Sequence, residues 1–181
     1  MNIVILFQYT LRMTLIGIIW FLSACSVNEI QQTPPLKAHE SWVMLPFINH
    51  GDTPDAGERA ADIAEALLRS LYNARITSVQ QSVDEQQIPE FNQQKTLESA
   101  IKNAQSQGSR YGLTGSVQEW RYKAGLDAEP AVGVTLNVID LGSGNVIWTA
   151  SGARTGWGRE SLSGVGHKLI EDLLDGLPLT E

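Results

Sequence analysis

The sequence predicts a single mixed α/β (α+β) domain: a mixed β-sheet with flanking helices, in the order βαβαβββα. Three observations carry that expectation. The chain has 181 residues, 43% hydrophobic and 18% charged, which suffices for one core of ordinary size. Its middle alternates short strand-like runs with segments of 3–4 apolar spacing. Its last third holds three stretches of period-two alternation, then one more helical pattern.

The elements follow in order. Ser41 to Ile48 is a continuous apolar run (Trp42, Val43, Met44, Leu45, Phe47, Ile48), the pattern of a strand buried on both faces. Asn49 to Asp55 is turn-rich. A helix is expected from about Ala56 to Asn73, with Ala60, Ala64, Leu67, Leu68 and Leu71 at helical spacing, early acids and a late base. Ile76 to Gln80 reads as a second strand and the Gln-rich stretch 80–94 as loop. Thr96 to Gln107 reads as a second helix stopped by Gly108. Strands are expected around Tyr111–Gln118, Val132–Ile139 and Val146–Ser151, the last two joined by the turn Gly142-Ser143-Gly144-Asn145. The alternation puts Trp120 and Tyr122 on the face opposite Leu113 and Val117. A final helix spans about Glu160 to Leu174, with Leu162, Val165, Leu169 and Leu173 inward.

Charge and composition exclude several functions. Thirteen Lys+Arg against twenty Asp+Glu give −7, the wrong sign for nucleic-acid binding. One cysteine permits no internal disulfide framework and no Cys-based zinc cluster. His39, His50 and His167 are scattered, so no cofactor or metal is expected. Nothing in the spacing of Glu119, Asp127, Glu129 and Asp140 selects a carboxylate pair for glycoside hydrolysis. Gly164-Val165-Gly166 lacks the third glycine of a dinucleotide loop.

The N-terminus reads as an address. Arg12 precedes the ten-residue apolar run Met13–Leu22, about half the roughly 20 residues a spanning helix needs. The run ends Leu22-Ser23-Ala24-Cys25, which resembles the bacterial lipobox. That resemblance implies a signal peptide over 1–24, a diacylglycerol and an N-acyl chain on Cys25, and, with Ser26 next, sorting to the outer membrane. Residues 25–39, with Gln31-Gln32-Thr33-Pro34-Pro35, read as a lipidated flexible tether, and 40–178 as the folded domain. Arg12 is the one base ahead of Cys25 and no acid precedes it, so the chain from Cys25 onward carries −8. An acidic protein in the periplasm has no cytosolic nucleotide pool, which disfavours ATP- or NAD-dependent chemistry.

Three features stand out beyond core packing. Lys123-Ala124-Gly125-Leu126-Asp127-Ala128-Glu129-Pro130 places two acids on a loop between strands; the residues are equally those of a solvated hairpin. Repeated around a ring, Asp127 and Glu129 make a focused negative lumen. Trp157 lies between glycines, flanked by Arg154 and Arg159, and suits a membrane interface or partner surface; a Trp folded over the sheet edge is the alternative. Trp120 and Tyr122 either cover the sheet or stack on sugar rings.

With these residues in view, Tyr111–Lys123, Gly125–Val134 and Ile147–Trp157 resemble the PelC family of outer-membrane lipoproteins. The resemblance implies a fold similar to the TolB N-terminal domain, LpoB and CsgG. It implies a homo-oligomeric, dodecameric ring on the periplasmic face of the outer membrane, with an acidic funnel that guides the cationic exopolysaccharide Pel to a PelB-like porin during biofilm matrix export. By motif position it assigns Asp127 to the funnel and Trp157 to the membrane contact, without catalysis. Other readings of the residues are an LpoB-like activator of a peptidoglycan synthase and a periplasmic carbohydrate hydrolase.

Overall fold

The computed structural model describes residues 26–30, 33–72, 74–78, 93–125 and 128–180. Eleven elements alternate along them: β1 (Ser26–Ile30), β2 (Leu36–Lys37), β3 (Ser41–Asn49), α1 (Ala56–Tyr72), β4 (Arg75–Ser78), α2 (Gln93–Ser106), β5 (Tyr111–Tyr122), β6 (Pro130–Asp140), β7 (Asn145–Thr155), α3 (Leu162–Leu174) and β8 (Leu179–Thr180). Six strands form one sheet in the order β1-β7-β6-β5-β3-β4. β3 runs parallel to both β4 and β5, whereas β5, β6, β7 and β1 are successively antiparallel. The domain is therefore mixed α+β, as its alternating patterns predict.

β3 explains the two-sided core. Trp42, Met44 and Phe47 join one cluster with α1 and α3, while Val43 and Leu45 join another with Leu97, Ala100 and Ala104 of α2. The pleat alone would put Phe47 with Leu45. A register shift between Met44 and Phe47, around Pro46, turns Phe47 back to the first face. α2 packs against β3. Nothing described covers the rest of that face over β5, β6 and β7.

The inner face is apolar throughout. Val132, Val134, Leu136 and Val138 are fully buried beneath α1 and α3. Each contributes about 1.5–3 kcal/mol relative to exposure. Tyr72 ties the two helices: its hydroxyl donates at 2.9 Å to the Leu174 carbonyl at the end of α3, which also accepts from the Leu177 N–H at 2.8 Å. Burial, and secondarily Asp175, raises the Tyr72 pKa.

Three expectations need correction. Within the expected tether, two segments are paired rather than free: Ser26–Ile30 pair with Ala150–Arg154, and Leu36–Lys37 pair with Leu179–Thr180. Composition misleads there because the pairing groups are backbone N–H and C=O, which polar residues carry as well as apolar ones. The folded unit also runs past 178, through β8. Trp120 does not lie opposite Leu113 and Val117: all three share the inner core, and Trp120 is 1% exposed. The cause is a bulge between Val117 and Glu119, which reverses the alternation of everything after it. Val146 is exposed, where the β6–β7 register shifts between its partner Ile139 and Val138.

Candidate functional site

One end of the sheet gathers the loops. The end of β5, the start of β6, the end of β7 and the start of β1 meet there, with Tyr122 opposite Pro130, Ala131 opposite Thr155, and Ser26 opposite Arg154. The loop before α1 reaches the same end, where the Thr53 hydroxyl donates to the Trp120 carbonyl at 2.5 Å.

The turn after β7 is built from hydrogen bonds. The Trp157 N–H donates to Glu160 Oε2 at 2.9 Å, and the Glu160 N–H donates back to the Trp157 carbonyl at 2.8 Å. Lys168 Nζ, nearly two turns into α3, donates to Glu160 Oε1 at 2.6 Å. The Lys168 bond first, and the Trp157 N–H second, hold the Glu160 carboxyl below its ordinary pKa. Gly156 permits this closure: a Cβ there would lie 2.4 Å from Val165 Cγ2 and 2.6 Å from Glu160 Oε2. Ser161 then caps α3, its hydroxyl accepting from the Gly164 N–H at 3.0 Å. The result is an indole held out on a braced turn, 68% exposed.

The cations beside Trp157 differ. Arg154, expected to meet lipid phosphates, is committed to Asp172 of α3 at 2.5 Å. Arg159 is exposed and makes no ion pair among the described residues. Sequence spacing missed Glu160 and Lys168, which brace the turn; the pair lies eight residues apart, just over two helical turns, and reads simply as surface charge.

The β5–β6 connection closes on itself, with the Lys123 N–H donating to the Glu129 carbonyl at 2.8 Å and Lys123 Nζ donating to Thr155 Oγ1 at 3.1 Å. Glu129 is half-buried and Ala128 holds a left-handed φ of 42°. For a residue with a Cβ that conformation costs about 1–2 kcal/mol. Asp127 and Cys25 lie outside the described residues.

The expected sugar-stacking pair separates. Trp120 presents no face: it is buried against Gly166 of α3, and its Nε1 has no partner among the described residues. That orphan donor costs about 1–3 kcal/mol. Burying an indole of about 200 Å² returns about 5 kcal/mol, so the arrangement is net favourable. Tyr122 keeps a 49% exposed ring, but its hydroxyl accepts from the Leu162 N–H at the start of α3.

The open sheet face carries a polar ladder that the sequence reading did not single out. Gln118 Nε2 donates to Ser116 Oγ at 2.8 Å and Thr135 Oγ1 at 3.2 Å, the hydroxyls of Thr135 and Ser151 share a 2.9 Å bond, and Thr149 donates to Asn137 at 2.9 Å. The available signal is that Ser116, Gln118, Thr135, Asn137, Thr149 and Ser151 are the polar halves of three neighbouring strands. Of the candidate carboxylates, Glu119 and Asp140 do not converge. Glu119 pairs with Arg121 and Asp140 with Arg110, and their β6 registers, Gly133 and Asp140, lie about 20 Å apart along the strand.

Sheet, helices and braced loops together define a mixed α+β domain that presents one loop-bearing end and one open sheet face. The protein comparisons narrow this class. PelC from Paraburkholderia phytofirmans, solved as a dodecamer, is 35% identical with TM-score 0.73, covering 87% of this chain and all of that one. A variant of it, also a dodecamer, is 36% identical with TM-score 0.73, covering 86% of this chain and all of that one. The chain belongs to the PelC family. Lipoprotein GNA1162 from Neisseria meningitidis, 16% identical with TM-score 0.51 over 75% of this chain and 96% of its own, shares the fold. No protein-family model and no curated protein matches the chain.

Proposed function

We propose that the protein is a non-catalytic lipoprotein of exopolysaccharide export. In this reading acyl chains on Cys25 hold it to the periplasmic face of the outer membrane, and copies close into a ring. The ring's acidic funnel passes the cationic polysaccharide Pel to a PelB-like porin. Family membership supports the export role, and the dodecamers of its Paraburkholderia relative support the ring.

The observation that carries the reading is convergence at one end of the sheet. The exposed Trp157, the stems of the loop that holds Asp127 and Glu129, and Ser26, one peptide bond after Cys25, all belong to that end. Each buried acyl CH₂ contributes about 0.8 kcal/mol, and more than one chain makes attachment stable. An indole and the exposed Arg159 suit the adjacent headgroup layer. One Asp makes a weak field, but the same Asp repeated around a ring gives a focused one. Binding must stay shallow, because cargo has to leave as well as enter.

Asp127→Asn is expected to lower polymer secretion in a biofilm matrix assay while leaving protein level and unfolding temperature unchanged. Full secretion by that variant removes the funnel role. Native mass measurement of the lipidated protein tests the ring directly: a closed oligomer is expected, and a monomer both in solution and on vesicles rejects it.

A further inference from the structure

A pit of about 280 Å³ opens on the uncovered sheet face, lined by Glu29, Gln118, Gly133, Ser151, Gly152 and Ala153. Glu29 stands on β1, opposite Ser151, and its carboxylate makes no ion pair or hydrogen bond among the described residues. Gln118 spends its N–H groups on Ser116 and Thr135, so its Oε1 is a free acceptor beside the pit. Gly133 leaves the floor bare: a Cβ there would meet Glu119 and Gln118 at 3.6–3.8 Å, ordinary contact distances.

We infer that this pit is a subsite for a protonated amino-sugar unit, with the Glu29 carboxylate taking the ammonium group and Gln118 Oε1 and the Ser151 hydroxyl taking sugar hydroxyls. The inference rests on the export reading, in which the cargo is a cationic saccharide, and adds a contact surface outside the Asp127 loop. The chemistry of the face selects the occupant. Stable protein interfaces centre on buried apolar and aromatic side chains. Here the described side chains of Ser116–Gln118, Ala131–Asn137 and Thr149–Ala153 that line the open face include no aliphatic larger than alanine. The Glu29 carboxylate, which has no ion-pair partner among the described residues, beside the Ser151 hydroxyl and the Gln118 carboxamide complements a hydroxylated cation and leaves a protein partner little to bury. Because the pit is shallow and water-washed, its single charge gives the weak, salt-sensitive hold that a translocating chain needs.

The test uses the full lipidated protein in detergent, titrated with a fully deacetylated β-1,4-linked glucosamine oligosaccharide and with its neutral N-acetylated counterpart. The cationic oligosaccharide should bind and the neutral one should not, and added salt should weaken binding. Glu29→Gln keeps the shape and removes the charge; Gly133→Val fills the floor. Each should weaken binding about tenfold, the scale of one charge-assisted hydrogen bond, with unchanged unfolding temperature and native mass. If wild type binds and both variants bind equally well, the subsite is wrong and the export reading stands. If wild type binds neither oligosaccharide, the cationic-cargo reading fails and the subsite with it. If the variants change native mass while retaining saccharide affinity, a neighbouring copy covers this face and the assignment is overturned.

Discussion

Gly166 is where α3 touches the sheet, and only hydrogen fits. A Cβ there would lie 2.2 Å from Trp120 Cη2, and Trp120 is fixed between α3 and the sheet. Gly166→Ala gains helix propensity of about 1 kcal/mol but forces a ring or a helix to move, which costs about 1–3 kcal/mol. The clash wins, so the variant should unfold at lower urea than wild type. Greater resistance to urea would show that α3 can lift without cost. Sequence reading found the glycine but only as a failed dinucleotide motif; its packing role depends on the bulge that turns Trp120 inward, and a bulge leaves no mark in hydrophobic periodicity.

Glu160 offers a second residue-scale prediction. Its lowered pKa reflects bonds from Lys168 and the Trp157 N–H that only the carboxylate makes well. The folded value lies below the unfolded one, so this stabilisation is fully present above the ordinary carboxylate range. It is lost as pH falls through the lowered folded value. Trp157 emission should therefore hold steady from neutral pH down to the ordinary carboxylate range and change below it. Glu160→Gln should remove that acid transition; an identical profile in the variant would exclude Glu160 as its source.

At the scale of elements, strands whose two faces differ or are both buried were legible. The run Trp42–Ile48 predicts burial on both sides, and the structure divides it between the two clusters. The helices at Ala56–Tyr72 and Leu162–Leu174 lie within a residue or two of expectation, because apolar spacing and caps are local signals. β1 was illegible for the opposite reason: its partner, β7, lies more than a hundred residues away, and strand pairing runs through backbone groups that every residue carries. Ile30 gives β1 its one described apolar anchor, 40% exposed and packed where Gly176 leaves room. Ile30→Asp should loosen β1 without unfolding the core. Amide exchange should then accelerate in β7 at Ala150–Arg154 and stay unchanged in β5 and β6. Uniform acceleration would mean that β1 is integral to global stability.

At the scale of the whole molecule, the two sheet faces divide the work. One is sealed by α1 and α3 and supplies cohesion; the other is roofed over β3 and leaves a polar floor beyond. The open floor was half legible, since alternation marks Ser116, Gln118, Thr135 and Ser151 as outward but cannot say that α2 stops short of them. At the loop end the exposure of Trp157 was legible, since its glycine neighbours argue for it. It was not legible for Arg154, because Asp172 comes from a separate element. Trp157→Ala should lower partition of the protein onto vesicles of outer-membrane lipid and leave urea stability unchanged. Equal partition would remove Trp157 from the membrane contact.

The clamping of residues 26–30 along β7 fixes how far such a molecule can range. A chain acylated at residue 25 and zipped to its own body from residue 26 has no leash. With the proposed acylation at Cys25, its working radius would be the breadth of the domain. On that proposal its partner would have to come to the lipid surface, and a spacer of a few flexible residues inserted after Cys25 should cost it that enforced address.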